Sequence, residues 1–87
     1  MPYTVSIKPK AEKYLSKLTD KRLFRRLREA ITGLAQNPRP PGSLKMHGGA
    51  DVHRVRVGDY RIIYEIRDTV LVVVVVKIGD RREIYRD

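Results

Sequence analysis

The sequence contains no cysteine, so it has neither a disulfide framework nor a thiolate for catalysis. Histidine is scarce at two residues, and without cysteine these two make a metal site unexpected. The longest apolar run, at residues 70–76, is far too short to span a bilayer, and the N-terminus lacks the apolar segment of a signal peptide. We therefore expect a cytoplasmic protein that associates with no membrane and uses no metal or other cofactor.

Acidic residues are also few. Ten of them stand against 19 lysines and arginines, which gives a net charge of +9 and a pI near 10.3. So large a charge on 87 residues is self-repulsive, and it favours polyanionic partners such as nucleic acid. The hydrophobic content of 41% is ordinary for a globular protein. These values predict one basic domain over residues 1–87 with a modest core.

Helical periodicity is confined to the first half of the chain. An alternating segment at residues 3–7 predicts a first strand, and Pro9 suits the first turn of a helix over residues 10–18. Either Thr19 or Asp20 can cap a second, longer helix. That helix should end near Gln36, because the segment NPRPPG cannot continue it. Two helices joined so closely form a helical hairpin.

The second half of the chain has the pattern of strands. Residues 52–57, 60–66, 70–78 and 82–85 are rich in valine, isoleucine and tyrosine, and short turn segments separate them. The unbroken valine run predicts a central strand covered on both faces. The predicted fold is α+β: an N-terminal strand and a helical hairpin pack on one face of a twisted, mainly antiparallel sheet of four to five strands.

The turns allow a prediction of register. Gly58–Asp59 suits a two-residue type II′ turn, and equally short loops are assumed at residues 68–69 and 79–80. Arg56 then lies opposite Arg61, and Arg54 lies opposite Ile63. The remaining predicted partners are Ile63–Val74, Arg61–Val76, Ile78–Arg81, Val76–Glu83 and Val74–Tyr85.

Paired residues share a face of a sheet, so this register collects the basic side chains on one surface. The helices should cover the opposite, apolar face, where His53 is expected as a structural residue. The basic face is predicted to carry Arg54, Arg56, Arg61, Arg81, Glu83 and Tyr85 over a floor of Val72, Val74 and Val76.

The Cβ atoms of the opposed Arg56 and Arg61 should lie about 5 Å apart, and like charges in this position are destabilising unless an anion lies between them. Because arginine forks fit phosphate oxygens and a tyrosine ring can stack on a base, the face is interpreted as a site for phosphate and base. Partial neutralisation by Glu65 and Glu83 is the structural alternative. Further candidates for RNA contact are Lys45, Arg82, His47 in its loop and the basic run at residues 21–28, which equally suits a solvated helix face.

Two segments make the sequence similar to a known family. They are NPRPPGSLKMHGGADVHRVRVGDYRIIYEI and VVKIGDRREIY, preceded by the spaced pattern Y.V.I...A.K.L.KL. In these segments the chain resembles the RelE family of the RelE/ParE toxin superfamily. The resemblance implies a metal-independent endoribonuclease that cuts mRNA in the ribosomal A site. Attack by the 2′-hydroxyl leaves a 2′,3′-cyclic phosphate. It also implies a cognate antitoxin, bound as a heterodimer or heterotetramer, through which the pair contacts operator DNA.

The family's functional positions fall on Arg54, Arg56, Arg61, Arg81 and Tyr85. The resemblance implies transition-state stabilisation by Arg61 and Arg81, and stacking by Tyr85. Many relatives have lysines where this chain has its first two arginines, and arginine does not lose its proton. Those two are therefore expected to position the phosphate, and the base is left between Glu83 and substrate-assisted transfer. Alternatives are a ParE-like gyrase inhibitor without nuclease activity and a decayed toxin that acts only as an antitoxin-bound co-repressor.

Overall fold

The computed structural model describes residues 2–48 and 50–80. The strands are β1 (Thr4–Ile7), β2 (Leu44–Lys45), β3 (Val52–Val57), β4 (Tyr60–Arg67) and β5 (Val72–Asp80). The helices are α1 (Pro9–Ser16) and α2 (Lys21–Gly33). Within the described residues the sheet has the order β1-β5-β4-β3-β2, with β1 parallel to β5 and every other pair antiparallel. The predicted α+β class, with its mainly antiparallel sheet, is confirmed.

Local chemistry sets the helix boundaries. Pro9 opens α1, where its missing amide proton costs nothing. Asp20 caps α2 by accepting hydrogen bonds from the amides of Arg22 and Leu23 at 3.0 and 3.2 Å. Asp20 is thus the N-cap that the sequence left open between two residues. The last turn of the predicted second helix is looser than expected, since α2 ends at Gly33 and turn hydrogen bonds continue to Asn37.

The core lies between the helices and one face of the sheet. α1 packs on β5 and α2 packs on β3, so each helix covers a different part of that face. Apolar side chains at helical spacing meet alternate residues of the strands. The buried core consists of Ala11, Leu15, Leu27, Ile31, Leu34, Val57, Ile62, Tyr64, Ile66, Val73, Val75 and Ile78.

The β3–β4 hairpin has the predicted register. Arg56 pairs with Arg61, and Arg54 pairs with Ile63. Gly58 has a φ of +60°, as the first central position of a type II′ turn requires, and only glycine reaches this region without strain.

The β4–β5 hairpin differs from its predicted register. Arg67 pairs with Val72, so four residues rather than two connect the strands. They form a 3₁₀ turn (Asp68–Val70) followed by Leu71 at a φ of +54°. The prediction that β5 starts at residue 70 was therefore wrong.

A register shift between Ile63 and Tyr64 changes the second half of β5. Along β5, Val74 comes before the shift and pairs with Glu65. Val74 therefore lies on the arginine face, the face of the sheet that carries Arg56 and Arg61, as predicted. Beyond the shift along β5, Ile63 pairs with Lys77 and Arg61 pairs with Gly79. The predicted pairs Ile63–Val74 and Arg61–Val76 were therefore wrong. Lys77 thereby takes a place on the arginine face, whereas Ile78 turns into the core at 4% exposure. β5 also runs through Asp80, so the predicted turn at residues 79–80 is absent from the described strand.

No helix in the described ranges is both long and apolar enough to cross a membrane.

Candidate functional site

Three arginines from the β3–β4 hairpin line one cavity on the sheet face that the helices leave uncovered. The arginine cluster consists of Arg54, Arg56 and Arg61, and the cavity has a volume of about 210 Å³. Alternation along β3 places Arg54 and Arg56 on the same face, and pairing places Arg61 beside them. The structure thus brings together three of the predicted site residues.

The three side chains differ in burial and in support. Arg61 is only 8% exposed, whereas Arg54 is half-buried and Arg56 is exposed. The Nε of Arg56 donates a 2.9 Å hydrogen bond to the carbonyl of Gly58, which ties this guanidinium to the β3–β4 turn. A guanidinium held in a partly dry site interacts with an anion more strongly than one in water. This arrangement has the chemistry that suits an anion, and Arg61 is the least solvated member of the cluster.

Two residues that the sequence did not single out complete the cavity. Leu44 of β2 pairs with Arg54, and Gly42 precedes it with a φ of +89°. Leu44 is 56% exposed, so a large apolar side chain stands open beside the guanidiniums. Apolar surface next to cations suits the flat face of a nucleobase next to its phosphate. A two-residue strand is too short to show alternation, which explains why β2 could not be predicted from the sequence.

Lys45 lies apart from the cluster. It pairs with His53, so it belongs to the other face of the sheet, and its Nζ is 4.0 Å from a carboxylate oxygen of Asp51. Lys77 is the lysine that the β5 register adds to the arginine face. The predictions on Arg81, Arg82, Glu83 and Tyr85 lie outside the described residues.

Glu65 was one of two carboxylates expected to neutralise the arginines. Its Oε1 accepts a 2.8 Å hydrogen bond from the Nε of Arg67, an exposed residue on the same strand. This ion pair directs the Glu65 carboxylate toward Arg67.

The histidines are placed apart from the cluster. His53 is buried on the helix-covered face, as expected; its Nε2 lies 2.7 Å from Asp51, and its ring stacks on Tyr64 with centroids 5.9 Å apart. Burial raises the pKa of the Tyr64 phenol, which donates a 2.8 Å hydrogen bond to the carbonyl of Pro38. His47 is exposed in its loop.

A polar network ties together segments distant in sequence. Arg39 forms ion pairs with Asp51 at 2.9 Å and with Asp68 at 3.0 Å, and Tyr3 donates a 2.5 Å hydrogen bond to Asp68. Hydrogen bonds from Arg39 and Tyr3 hold the pKa of Asp68 below its ordinary value. The hydrogen bond to Asp68 raises the pKa of Tyr3. This network connects the proline-rich loop to β1 and to the β4–β5 connection, so its role is structural.

The chemistry available to the cluster follows from arginine. A guanidinium donates hydrogen bonds in a planar fork, and it can stabilise charge that builds on a phosphoryl group. It cannot accept a proton, so the described members of the site offer no general base. In the described part of the chain, no three histidine or carboxylate side chains come together to hold a metal ion.

Comparison with known proteins identifies the family. The family described as "ParE toxin of type II toxin-antitoxin system, parDE" matches residues 5–85. Toxin RelG from Mycobacterium tuberculosis is 33% identical over 86 residues, which cover 99% of this chain and 99% of the relative. The chain belongs to the RelE/ParE superfamily of type II toxin–antitoxin toxins.

Solved structures agree with membership of this superfamily. A chain of the archaeal RelE–RelB complex from Pyrococcus horikoshii OT3 matches with a TM-score of 0.79 and 32% identity, covering 93% of this chain and 97% of that one. A chain of the RelBE2 toxin–antitoxin complex from Mycobacterium tuberculosis also gives a TM-score of 0.79, with 29% identity and 93% coverage of both chains. The family expected from the sequence motifs is therefore confirmed. The name RelE occurs among the matching solved structures, whereas the matching family is named ParE.

Proposed function

We propose that this RelE/ParE toxin is a metal-independent endoribonuclease that cuts mRNA in the ribosomal A site. The observation that carries the proposal is the arginine cluster, in which three guanidiniums converge on one cavity beside an exposed leucine. Such a cavity suits a phosphodiester with its base, because three guanidiniums favour an anionic ligand over a neutral one. The 2′-hydroxyl attacks the adjacent phosphorus, the bond to the 5′-oxygen breaks, and a 2′,3′-cyclic phosphate remains.

The described arginines take distinct roles in this reaction. Arg61 is the least solvated, so its charge stabilises the developing negative charge on phosphorus. Arg54 and Arg56 hold the phosphate from β3. From the family resemblance, Arg81 also stabilises the transition state near the leaving oxygen, and Tyr85 stacks on the nucleotide.

The proton of the 2′-hydroxyl needs an acceptor other than arginine. Glu83 is one candidate, and transfer assisted by the substrate and ordered water is the other. Either route makes cleavage depend on how the mRNA is held, which favours a requirement for the ribosome.

The expected partners follow from the relatives. Two of the matching structures are complexes of RelE with RelB or of RelBE2, which supports a cognate antitoxin for this chain. The antitoxin would form a heterodimer or heterotetramer with the toxin, block the arginine cluster and carry the pair to operator DNA. The ribosome and its mRNA are the targets of the free toxin in the cytoplasm.

Primer extension on mRNA, with and without ribosomes, tests this function. The expected result is a set of cuts at A-site codons that appear only when ribosomes and toxin are both present. End-group analysis should then find a cyclic phosphate on the upstream fragment. Cuts that require Mg²⁺ beyond the amount that keeps the ribosomes assembled would contradict the mechanism. Downstream fragments that carry a 5′-phosphate would contradict it as well.

A second function is favoured by the description of the matching family, which names ParE. A ParE-like toxin would inhibit DNA gyrase and would leave RNA intact. A supercoiling assay with purified gyrase separates the two activities. Inhibition of gyrase without any mRNA cleavage would replace the nuclease proposal. If both assays are negative while the antitoxin complex still binds operator DNA, a decayed toxin that acts as co-repressor is left.

A further inference from the structure

The solvent side of α2 carries a concentration of positive charge that the arginine cluster does not include. We call Lys21, Arg22, Arg25, Arg26 and Arg28 the basic helix surface. All five are exposed, and they occupy two turns at the start of the helix. Glu29 is the one acidic residue within α2. At 1.5 Å of rise per residue, the charges extend over about 10 Å of a rigid rod.

This surface is mostly self-repulsive within its own helix, since Glu29, four residues after Arg25 and three after Arg26, is the one carboxylate of α2 at a stabilising spacing from these cations. Lys21 and Arg25 are four residues apart, as are Arg22 and Arg26, and like charges at this spacing destabilise a helix. Among the described residues, no carboxylate lies within 4.0 Å of any of the five cations. A glutamate at either second position would instead have formed a helix-stabilising pair. The charge pattern is therefore explained better by an external anion than by the stability of the fold.

The basic helix surface is continuous with the arginine cluster around the β3–β4 turn. The Nη1 of Arg26 lies 3.4 Å from the position that a Cβ on Gly58 would take. On the other side of this turn, the Nε of Arg56 donates to the carbonyl of Gly58. One glycine thus has a guanidinium from α2 on one side and a guanidinium from the arginine cluster on the other.

A shallow cavity of about 270 Å³ occupies the junction of α2 and the turn, and Arg22 and Arg26 line it. Two carboxylates, Asp20 and Asp59, line it as well. The Asp20 carboxylate accepts hydrogen bonds from two helix amides. The cavity itself is therefore balanced in charge, and the excess of positive charge lies along the outer stripe of the helix.

We infer that the basic helix surface binds the phosphate backbone of double-helical RNA, while the arginine cluster holds the nucleotide to be cut. The inference rests on the proposed function, and it assigns the RNA around the reacting nucleotide to α2. A rigid row of cations matches the regular phosphates of a duplex, and arginine binds phosphate in a fork. Phe24 is exposed and borders the row, and the Arg28 guanidinium lies 6.0 Å from the centroid of its ring. Contacts of this kind position RNA without reading its sequence.

The salt dependence of RNA binding tests the inference. The probe is a fluorescein-labelled hairpin of 20 base pairs in 2′-O-methyl RNA, which cannot be cut by 2′-hydroxyl attack. Binding is followed by anisotropy between 50 and 200 mM KCl. The triple variant K21Q/R25Q/R28Q removes the cations of the outer stripe, and it should lower the slope of log K against log salt by about two to three, since each phosphate contact contributes about 0.9.

The matched control is K10Q/K13Q/K17Q, which removes the same charge from exposed positions on and just after α1. Its slope should change by less than one. Circular dichroism confirms that both variants fold; neutralising like charges on α2 should raise its stability. Equal changes in slope for the two triples would overturn the inference, because net charge alone would then explain the binding. So would a loss of polyglutamate binding in the α2 triple as large as its loss of RNA binding.

Ribosome-dependent cleavage by the same preparations separates this inference from the proposed function. A wild-type toxin that cuts mRNA, together with an α2 triple that keeps the wild-type slope, overturns the inference and leaves the proposed function standing. A wild-type protein that binds the hairpin through α2 without cutting mRNA supports the RNA surface and contradicts the nuclease.

Discussion

Arg56 and Arg61 face each other across the β3–β4 ladder, and like charges in this position destabilise a sheet. The exposed Arg56 is therefore a residue at which function and stability should oppose each other. Arg56→Gln should lower mRNA cleavage by up to about 10²-fold, because the phosphate loses a group that positions it. The free energy of unfolding should stay constant or rise by about 0.2–1 kcal/mol, because the repulsion is relieved.

Urea denaturation and primer extension on the same variant check this prediction. Arg67→Gln is the control, since Arg67 is an exposed arginine on β4 that pairs with Glu65 outside the cluster. It should cut at nearly the wild-type rate. An Arg56→Gln protein that is less stable but fully active would contradict the role of the cluster.

Leu44 and Lys45 are neighbours in sequence on opposite faces of the sheet, so they form a matched pair for testing the cavity. Leu44→Glu and Lys45→Gln each change the net charge by −1. Leu44→Glu places a carboxylate against the guanidiniums and should lower cleavage by roughly tenfold or more, by competing with the phosphate. Lys45→Gln should stay within about twofold of wild type, because the lysine is outside the cavity. Equal losses in the two initial-rate measurements would show that net charge, and not the cavity, controls cleavage.

At the scale of elements, the N-cap of α2 gives a stability prediction. The sequence left Thr19 and Asp20 as alternatives, and the structure has Asp20 accepting two amide hydrogen bonds. Asp20→Ala should lower the free energy of unfolding by about 1 kcal/mol, because two helix amides lose their acceptor. Thr19→Ala should change it by less than about 0.5 kcal/mol. Chemical denaturation of both variants measures the difference, and a larger loss for Thr19→Ala would contradict the cap assignment.

The two hairpins show how far sequence can define a register. The β3–β4 hairpin was predictable because Gly58–Asp59 has a strong turn preference, and so the pairing of Arg56 with Arg61 followed. The β4–β5 connection has no glycine, and it places Leu71 at a positive φ that leucine seldom adopts. The length of the β4–β5 connection could therefore not be predicted from the sequence. The register shift at Val76 could not be predicted either, because nothing in a run of five valines shows which one has no partner in the register.

The difference between the two hairpins also explains which site residues could be predicted from the sequence. Arg54, Arg56 and Arg61 depend only on the first hairpin, so the sequence placed them together. Lys77 depends on the bulge, and Leu44 depends on a strand of two residues, so neither was found. Alternation needs several residues to be visible, and a bulge reverses it without changing composition.

At the scale of the whole molecule, Asp68 connects β1, the proline-rich loop and the β4–β5 connection through Tyr3 and Arg39. Hydrogen bonds from Arg39 and Tyr3 lower its pKa in the folded protein below the ordinary 3.8. The unfolded chain therefore takes up this proton at a higher pH than the folded chain does. The stability from Asp68 is complete above the unfolded pKa, and it is lost as the pH falls through the lower, folded value.

Thermal unfolding between pH 7 and pH 2 tests this linkage. Asp68→Asn should unfold at a lower temperature than wild type at pH 7, and the difference should shrink below about pH 4, where the wild-type carboxylate becomes protonated. Asp59→Asn, at an exposed position in the β3–β4 turn, should keep the wild-type pH dependence. A constant difference between Asp68→Asn and wild type over the whole range would contradict the network.

The central claim is that the arginine cluster cuts ribosome-bound mRNA. Primer extension on programmed ribosomes with wild type, Arg61→Gln and Arg67→Gln tests it most directly, with circular dichroism to show that all three proteins are folded. The account predicts A-site cuts by wild type and Arg67→Gln, and a loss of about 10²-fold or more for Arg61→Gln. Cleavage by folded Arg61→Gln at the wild-type rate would contradict it.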